Sequence, residues 1–108
     1  MTDIQTAYCN ILNQIHSIRN VVDKTDLHTS LQRKFDRIKD NFETLNIYVH
    51  DPISESYDDT RIDCEASIAG ENLENLAIVE VIKPIIYFKE SDSNLILQKA
   101  VVIVEGKK

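Results

Sequence analysis

The spacing of apolar residues in the first 22 positions constrains the fold more than any other feature of this chain. Apolar side chains recur at intervals of four, three, four, three and four residues, the a/d pattern of a helix that packs along one narrow seam. Thr2 and Gln5 have capping-box spacing, so we expect the helix to begin just after Thr2. This first apolar stripe contains Ile4, Tyr8, Ile11, Ile15, Ile18 and Val22.

A second apolar stripe follows a polar turn at residues 23–26 and predicts a second helix. It contains Leu27, Leu31, Phe35, Ile38, Phe42 and Leu45. The short link favours an antiparallel hairpin. Two helices alone leave much of both stripes wet, so we expect two hairpins to form a four-helix-bundle homodimer. Its interface would hold the first stripe together with Leu31, Phe35, Ile38 and Phe42. The alternative is that both stripes pack on the chain's own sheet.

Residues 51–64, here called the pivot segment, separate the helical pattern from a β-rich one. They read D-P-I-S-E-S-Y-D-D-T-R-I-D-C, and six carboxylates fall within residues 51–65. The spacing does not fit an EF-hand, which needs a central glycine and a closing glutamate. No pattern pairs two carboxylates across a cleft as a hydrolase requires. We interpret the segment as a solvated or partner-facing loop in which Tyr57 anchors the turn and Asp58 bonds nearby amides.

Histidine and cysteine spacing predicts neither a metal nor a cofactor site. His16, His28 and His50 have no partner at metal-ligand spacing, and we interpret all three as surface residues. Cys9 and Cys64 form no CxxC motif and are expected to be reduced thiols, as in the cytoplasm. The first ten residues lack the basic and apolar regions of a signal peptide.

The second half of the chain predicts a small, mostly antiparallel sheet. Extended segments are expected at residues 46–50, 63–68, 76–82, 85–88 and 95–104. Pro84 separates the third segment from the fourth, and residues 90–94 form a polar hairpin loop between the fourth and the fifth. The expected fold class is therefore α+β. We divide the chain into a helical dimerisation segment (residues 1–45) and a β-domain that binds a partner (residues 46–108).

Charge and motif content exclude several function classes. Residues 46–75 contain eight acidic residues and one basic residue, net −7, and the whole chain carries −6. A nucleic-acid or anionic-membrane binder needs a basic surface instead. No phosphate-binding loop, nucleophile elbow or zinc-protease motif is present, which favours a protein that is not an enzyme.

The pivot segment resembles the entry into the β-domain of the GrpE family, the nucleotide exchange factors of DnaK-type chaperones. That family's run is D-P-V-G-E-P-F-D-P-x-x-H-E-A. Asp51, Pro52, Glu55 and Asp58 match outright, whereas Ser54 replaces the glycine. Residues 78–82 (I-V-E-V-I) resemble the family's V-V-E-V-L strand. Residues 96–104 resemble its V-L-R-P-A and closing strand, with Gln98 and Lys99 in place of arginine and proline.

The resemblance implies a homodimeric co-chaperone whose β-domain binds the chaperone's nucleotide-binding domain and promotes ADP release, without covalent chemistry. The positions expected to contact the partner are Tyr57, Asp58, Arg61, Ile62, Lys83, Tyr87 and Gln98, and Arg61 is the first to test. One alternative is a dimeric adaptor that keeps this fold without exchange activity. A third hypothesis, a small enzyme using Asp58 or Asp63, has no supporting motif.

Overall fold

The computed structural model describes residues 1–107, which form two helices followed by six strands. The helices are α1 (Asp3–Val22) and α2 (His28–Thr44). The strands are β1 (Ile47–His50), β2 (Cys64–Ala69), β3 (Leu76–Lys83), β4 (Ile85–Glu90), β5 (Ser93–Gln98) and β6 (Ala100–Gly106). This arrangement confirms the predicted α+β fold, with a helical hairpin followed by a small β-domain.

The two helices run antiparallel, as the short link predicted. The Tyr8 ring near the start of α1 meets the Phe42 ring near the end of α2 edge to face, with centroids 5.8 Å apart. The guanidinium of Arg19 lies 5.5 Å from the Phe35 ring centroid. The capping box is present, because the Gln5 amide donates to Thr2 Oγ1 and the Thr2 amide to Gln5 Oε1. Within residues 1–107, neither helix has the length and apolar character needed to cross a bilayer.

The strands form two three-stranded sheets rather than the single small sheet that was predicted. Sheet 1 has the order β1-β4-β5 and is antiparallel. Sheet 2 has the order β2-β6-β3, in which β2 runs parallel to β6 and β3 antiparallel to it. The predicted hairpin joins β4 to β5, but pairing extends to Glu90 and Ser93, which leaves a tighter turn at Ser91 and Asp92.

The prediction of one continuous strand over residues 95–104 was wrong. The chain leaves sheet 1 after Gln98 and enters sheet 2 at Ala100, beside the break that Pro84 makes between β3 and β4. Register shifts flank this corner, between Val81 and Lys83 and between Ile86 and Tyr87. Such irregularities bend strands, so the two neighbouring strands turn together from one sheet into the other.

Two hydrophobic clusters stabilise the fold. The first lies on sheet 2 together with Ile85 of β4 and contains Cys64, Ile78, Val81, Ile85, Ala100, Val102 and Val104. The second joins α1 to sheet 1 and contains Cys9, Leu12, Ile47, Ile86 and Leu97. The helical segment and the β-domain therefore share one of the clusters, across the boundary between residues 45 and 46.

Candidate functional site

The pivot segment covers the outer edge of β3. The Ser54 amide donates to the Ile78 carbonyl, the Ile78 amide to the Glu55 carbonyl and the Tyr57 amide to the Leu76 carbonyl, each at 2.9 Å. These bonds satisfy the edge of β3 from Leu76 to Ile78 and hold the segment against sheet 2 without a regular strand. Tyr57 packs on the first cluster, which confirms its predicted anchoring role.

The first turn of the pivot segment has a conformation that favours glycine. Ser54 has a φ of 71°, in the left-handed region that side chains with a Cβ rarely occupy. Asp51 Oδ1 accepts from the Ile53 amide at 3.1 Å, and Pro52 is buried. Further on, Asp58 Oδ1 accepts from the amide and the hydroxyl of Thr60. The predicted bonding of Asp58 to nearby backbone is thereby confirmed, and these bonds lower the pKa of its carboxyl.

Arg61 is the hub of the pivot segment rather than a free cation on its surface. Its Nε donates to Asp63 Oδ1 at 2.6 Å, its Nη2 to Glu55 Oε1 at 2.7 Å and its Nη1 to the Ser56 carbonyl at 3.1 Å. Only 19% of its side chain is exposed. Charge-assisted bonds of this geometry are the stronger class, so Arg61 fixes the loop internally.

The carboxylates around Arg61 are adapted to remain charged. Burial raises the pKa of Glu55, but hydrogen bonds from Arg61 and His50 outweigh it and hold the pKa below its usual value. Burial likewise raises the pKa of Asp63, but the hydrogen bond and charge of Arg61, together with bonds from Cys64 and the backbone, outweigh it and hold the pKa below its usual value. Within residues 1–107, no group of three histidine, cysteine or carboxylate side chains is arranged to hold a metal ion. The cluster is a structural ion network.

The two cysteines are free, as predicted, and the structure shows in addition that both are buried. Burial raises the pKa of the Cys64 thiol to about 11 and also raises that of Cys9. Thiols with raised pKa values are protonated near neutral pH and are poor nucleophiles. Tyr87, which lies near Cys64, also has a pKa raised by burial.

The remaining predicted partner contacts divide into exposed and internal residues. Ile62, 75% exposed, and Lys83 both face solvent on the β-domain. Tyr87 is half-buried against the first cluster. Gln98 exchanges two 2.8 Å hydrogen bonds with Asn13 of α1 and donates a third to the Pro84 carbonyl at 2.9 Å. Gln98 therefore ties α1 to the corner between the sheets.

Half of the first apolar stripe lies on a face of α1 that the sheets do not cover, whereas Tyr8, like Phe42 of the second stripe, packs against the second cluster. Ile4, Ile11 and Ile18 are 65%, 49% and 55% exposed. The alternative that both stripes pack on the chain's own sheet is wrong for these three residues. Ile15, Val22 and Tyr8 are half-buried, the last against Phe42. In α2 no residue is fully buried, and Leu31, Phe35, Ile38 and Phe42 are all half-exposed.

The sheet contact of α1 uses a different face, which the sequence prediction missed. That face carries Cys9, Leu12, Asn13 and His16, about 130° around the helix from the stripe at 100° per residue. His16 is only 9% exposed, which contradicts its prediction as a surface residue. Its Nε2 lies 3.1 Å from the Val81 carbonyl and 3.2 Å from Asn20 Nδ2. A carbonyl only accepts, so a hydrogen bond to Val81 requires the hydrogen on Nε2. The signal was the i, i+3, i+7 spacing of Cys9, Leu12 and His16.

An open groove of about 720 Å³ lies where the pivot segment meets the end of sheet 2. We call it the acidic groove, because Asp58 and Asp59 stand on its pivot side and Lys107 is the only cation in its lining. Its apolar and aromatic lining comes from Tyr57, Ala66, Ile68, Leu73, Leu76 and Ala77. Two of the predicted partner contacts, Tyr57 and Asp58, therefore belong to a concave surface.

No protein-family model, curated protein or solved structure matches this chain.

Proposed function

We propose that this chain is a GrpE-like co-chaperone. In this proposal its β-domain binds the nucleotide-binding domain of a DnaK-type chaperone and promotes the release of ADP. The chain itself catalyses no covalent step and needs no cofactor. Because both cysteines are free thiols, we assign it to the reducing environment of the cytoplasm.

The backbone of Ser54 is the observation that carries the proposal. The family's run has glycine at this position, and the backbone of Ser54 has the left-handed φ that glycine adopts without strain. The matching residues around it have turn-forming roles: Asp51 accepts from an amide within the turn, Pro52 is buried, and Glu55 binds both β3 and Arg61. The position at which the family has glycine thus has, in this chain, a backbone conformation that favours glycine.

The exposed first apolar stripe supports the homodimer in the proposal. Ile4, Ile11 and Ile18 lie one above another at heptad spacing, and α2 offers a second half-exposed stripe beside them. Packing two such hairpins together removes both stripes from water, at roughly 25 cal/mol for each Å² of apolar surface buried. The dimer would then present two β-domains.

Release of a fluorescent ADP from a DnaK-type chaperone tests the proposal directly. The chain should bind the chaperone and accelerate ADP release, and Ile62→Asp combined with Lys83→Glu should weaken both effects. Leu95→Asp is the matched control, because Leu95 is 50% exposed on β5 and outside the expected contact set. If the wild-type chain neither bound the chaperone nor accelerated ADP release, the proposal would be refuted.

The second candidate is a dimeric adaptor that keeps the fold without exchange activity. It is favoured by Arg61 and Gln98, two expected contact residues whose polar groups are engaged within the chain. Gln98 also stands where the family has arginine. Pull-downs with and without ATP separate the two candidates, because an adaptor's partner should be retained equally in both.

A further inference from the structure

We propose that the acidic groove binds an extended peptide segment of a partner protein, in which an apolar side chain lies next to a lysine or arginine. The inference does not rest on exchange activity, because the groove's chemistry alone specifies the peptide. The interaction is measurable on the purified chain without any chaperone.

The groove has the size and lining of a side-chain receptor. Its volume of about 720 Å³ lies within the range of roughly 300–1,000 Å³ that is common for binding sites. Ile68 and Leu73 in its lining remain 50% and 65% exposed. Tyr57 adds an aromatic wall whose other contacts are with the first cluster. An apolar side chain of a partner would cover surface that the chain's own residues leave in water.

The charge around the groove selects a cationic neighbour for that apolar side chain. Asp59 is exposed and makes no hydrogen bond or ion pair within residues 1–107, so its carboxylate is available. Asp58 beside it is also exposed, and its lowered pKa keeps it ionised. The turn that supplies Leu73 carries Glu71 and Glu74 as well. Complementary charge of this kind favours encounter with basic partners and rejects acidic ones.

Three short fluorescent peptides test both halves of the proposal by anisotropy. One alternates leucine with lysine, one leucine with glutamate and one serine with lysine. The leucine–lysine peptide should bind at least about tenfold more tightly than either of the others, because only it supplies both the apolar and the cationic group. Added salt should weaken that binding, since the charges are exposed. Equal binding of all three peptides would overturn the proposal.

Matched variants localise the binding to the groove. Asp59→Lys should weaken leucine–lysine binding by about tenfold, whereas Asp92→Lys makes the same charge change in the exposed β4–β5 turn and should not. Likewise Leu73→Ser should weaken binding and Leu95→Ser should not. Amide shifts in NMR spectra should move at residues 66–68 and 73–76. Equal losses of peptide binding in a variant and its control would overturn the proposal. It would also be overturned if the chain formed a dimer that Asp59→Lys dissociates, because a second copy would then occupy the groove.

Discussion

At the scale of single residues, the pivot segment depends on one strained backbone and one cation. Ser54 holds a φ of 71°, and Arg61 unites Glu55, Asp63 and the Ser56 carbonyl. Neither role follows from the side chain's own chemistry, because serine usually adopts negative φ and a lone arginine in an acidic loop is usually solvated. Each role depends on how the segment crosses the edge of β3.

Replacing Ser54 by glycine should stabilise the fold by about 0.5–1 kcal/mol, because glycine adopts positive φ without steric cost. Urea unfolding measures the change as a shift of the midpoint. Ser56→Gly is the control: Ser56 pairs with Ala77 and is not among the residues with positive φ, so glycine there should destabilise. A loss of stability in Ser54→Gly would show that the turn relaxes in solution.

Replacing Arg61 by alanine should cost about 1–2 kcal/mol at neutral pH, a figure reduced for the partial exposure of its partners. The folded-state pKa values of Glu55 and Asp63 are lowered, so their contribution is present above the unfolded values near 4 and is lost as pH falls through the folded values. The Arg61→Ala variant should therefore lose less stability than the wild type when the pH falls from about 5 to 2, as measured by acid unfolding.

The matched control for Arg61 is Arg33→Ala, which removes an exposed arginine of α2. It should leave both the unfolding midpoint and its dependence on pH unchanged. If Arg61→Ala retained the acid sensitivity of the wild type, the ion network would not be the source of that sensitivity.

At the scale of elements, the two faces of α1 differ in what covers them. Leu12 lies in the second cluster at 5% exposure, while its neighbour Ile11 is 49% exposed on the stripe. The face that carries Leu12 packs against sheet 1, whereas the face that carries Ile11 leaves part of the first apolar stripe exposed to water. Substitutions only one position apart should therefore affect different properties of the protein.

We expect Ile11→Lys combined with Ile18→Lys to convert a dimer into a folded monomer, because charges on the seam cannot be buried together. Sedimentation equilibrium and far-ultraviolet circular dichroism measure mass and fold. Val79→Lys combined with Ile82→Lys, at exposed positions of β3, is the control and should remain dimeric. A monomeric wild-type chain would contradict the bundle.

Leu12→Ala, on the other face of α1, should instead destabilise folding by about 2–4 kcal/mol.

The elements themselves were largely predictable, whereas their arrangement was not. Heptad spacing located both helices, and β-branched runs located the strands, because periodicity and local propensity determine these features. The corner at Gln98 and Lys99 was missed because nothing in the run 95–104 breaks an extended pattern. The bend arises from pairing, since the neighbouring strand is itself broken at Pro84. His16 was missed although its spacing from Cys9 and Leu12 marks a common helix face, because the Val81 carbonyl beside its ring lies 65 residues away in sequence.

At the scale of the whole molecule, the site was less predictable than the fold. Tyr57 and Asp58 were identified from the pivot segment, but the groove they enter also needs Ile68 and Leu73 from a later strand and turn. Sequence spacing gives no signal for such a surface, since it forms only when sheet 2 closes against the pivot segment. The same reasoning explains why Arg61 was expected to contact a partner, whereas it bonds within the pivot segment.

Removing residues 1–45 should destabilise the β-domain, because Cys9 and Leu12 complete the second cluster with Ile47, Ile86 and Leu97. We expect a fragment of residues 46–108 to unfold at lower urea than the full chain and to bind a hydrophobic dye. A full-length Leu12→Ala variant should fall between the two. A fragment as stable as the whole chain would instead establish residues 46–108 as an independent domain.

The corner at which both strands change sheets also bears on how the chain finds its fold. β4 and β5 are joined by a turn at Ser91 and Asp92. Pairing can extend residue by residue from this turn, past the corner, to β3 and β6 without closing another loop. One local hairpin thus begins both sheets. The parallel pairing of β2 with β6 must instead bring together Cys64 and Ala100, 36 residues apart. The pairing of β1 with β4 is equally distant, since His50 meets Ile85 across 35 residues. Non-local contacts form slowly, so we expect β1 and β2 to gain protection after the β4–β5 hairpin in pulse-labelled hydrogen exchange.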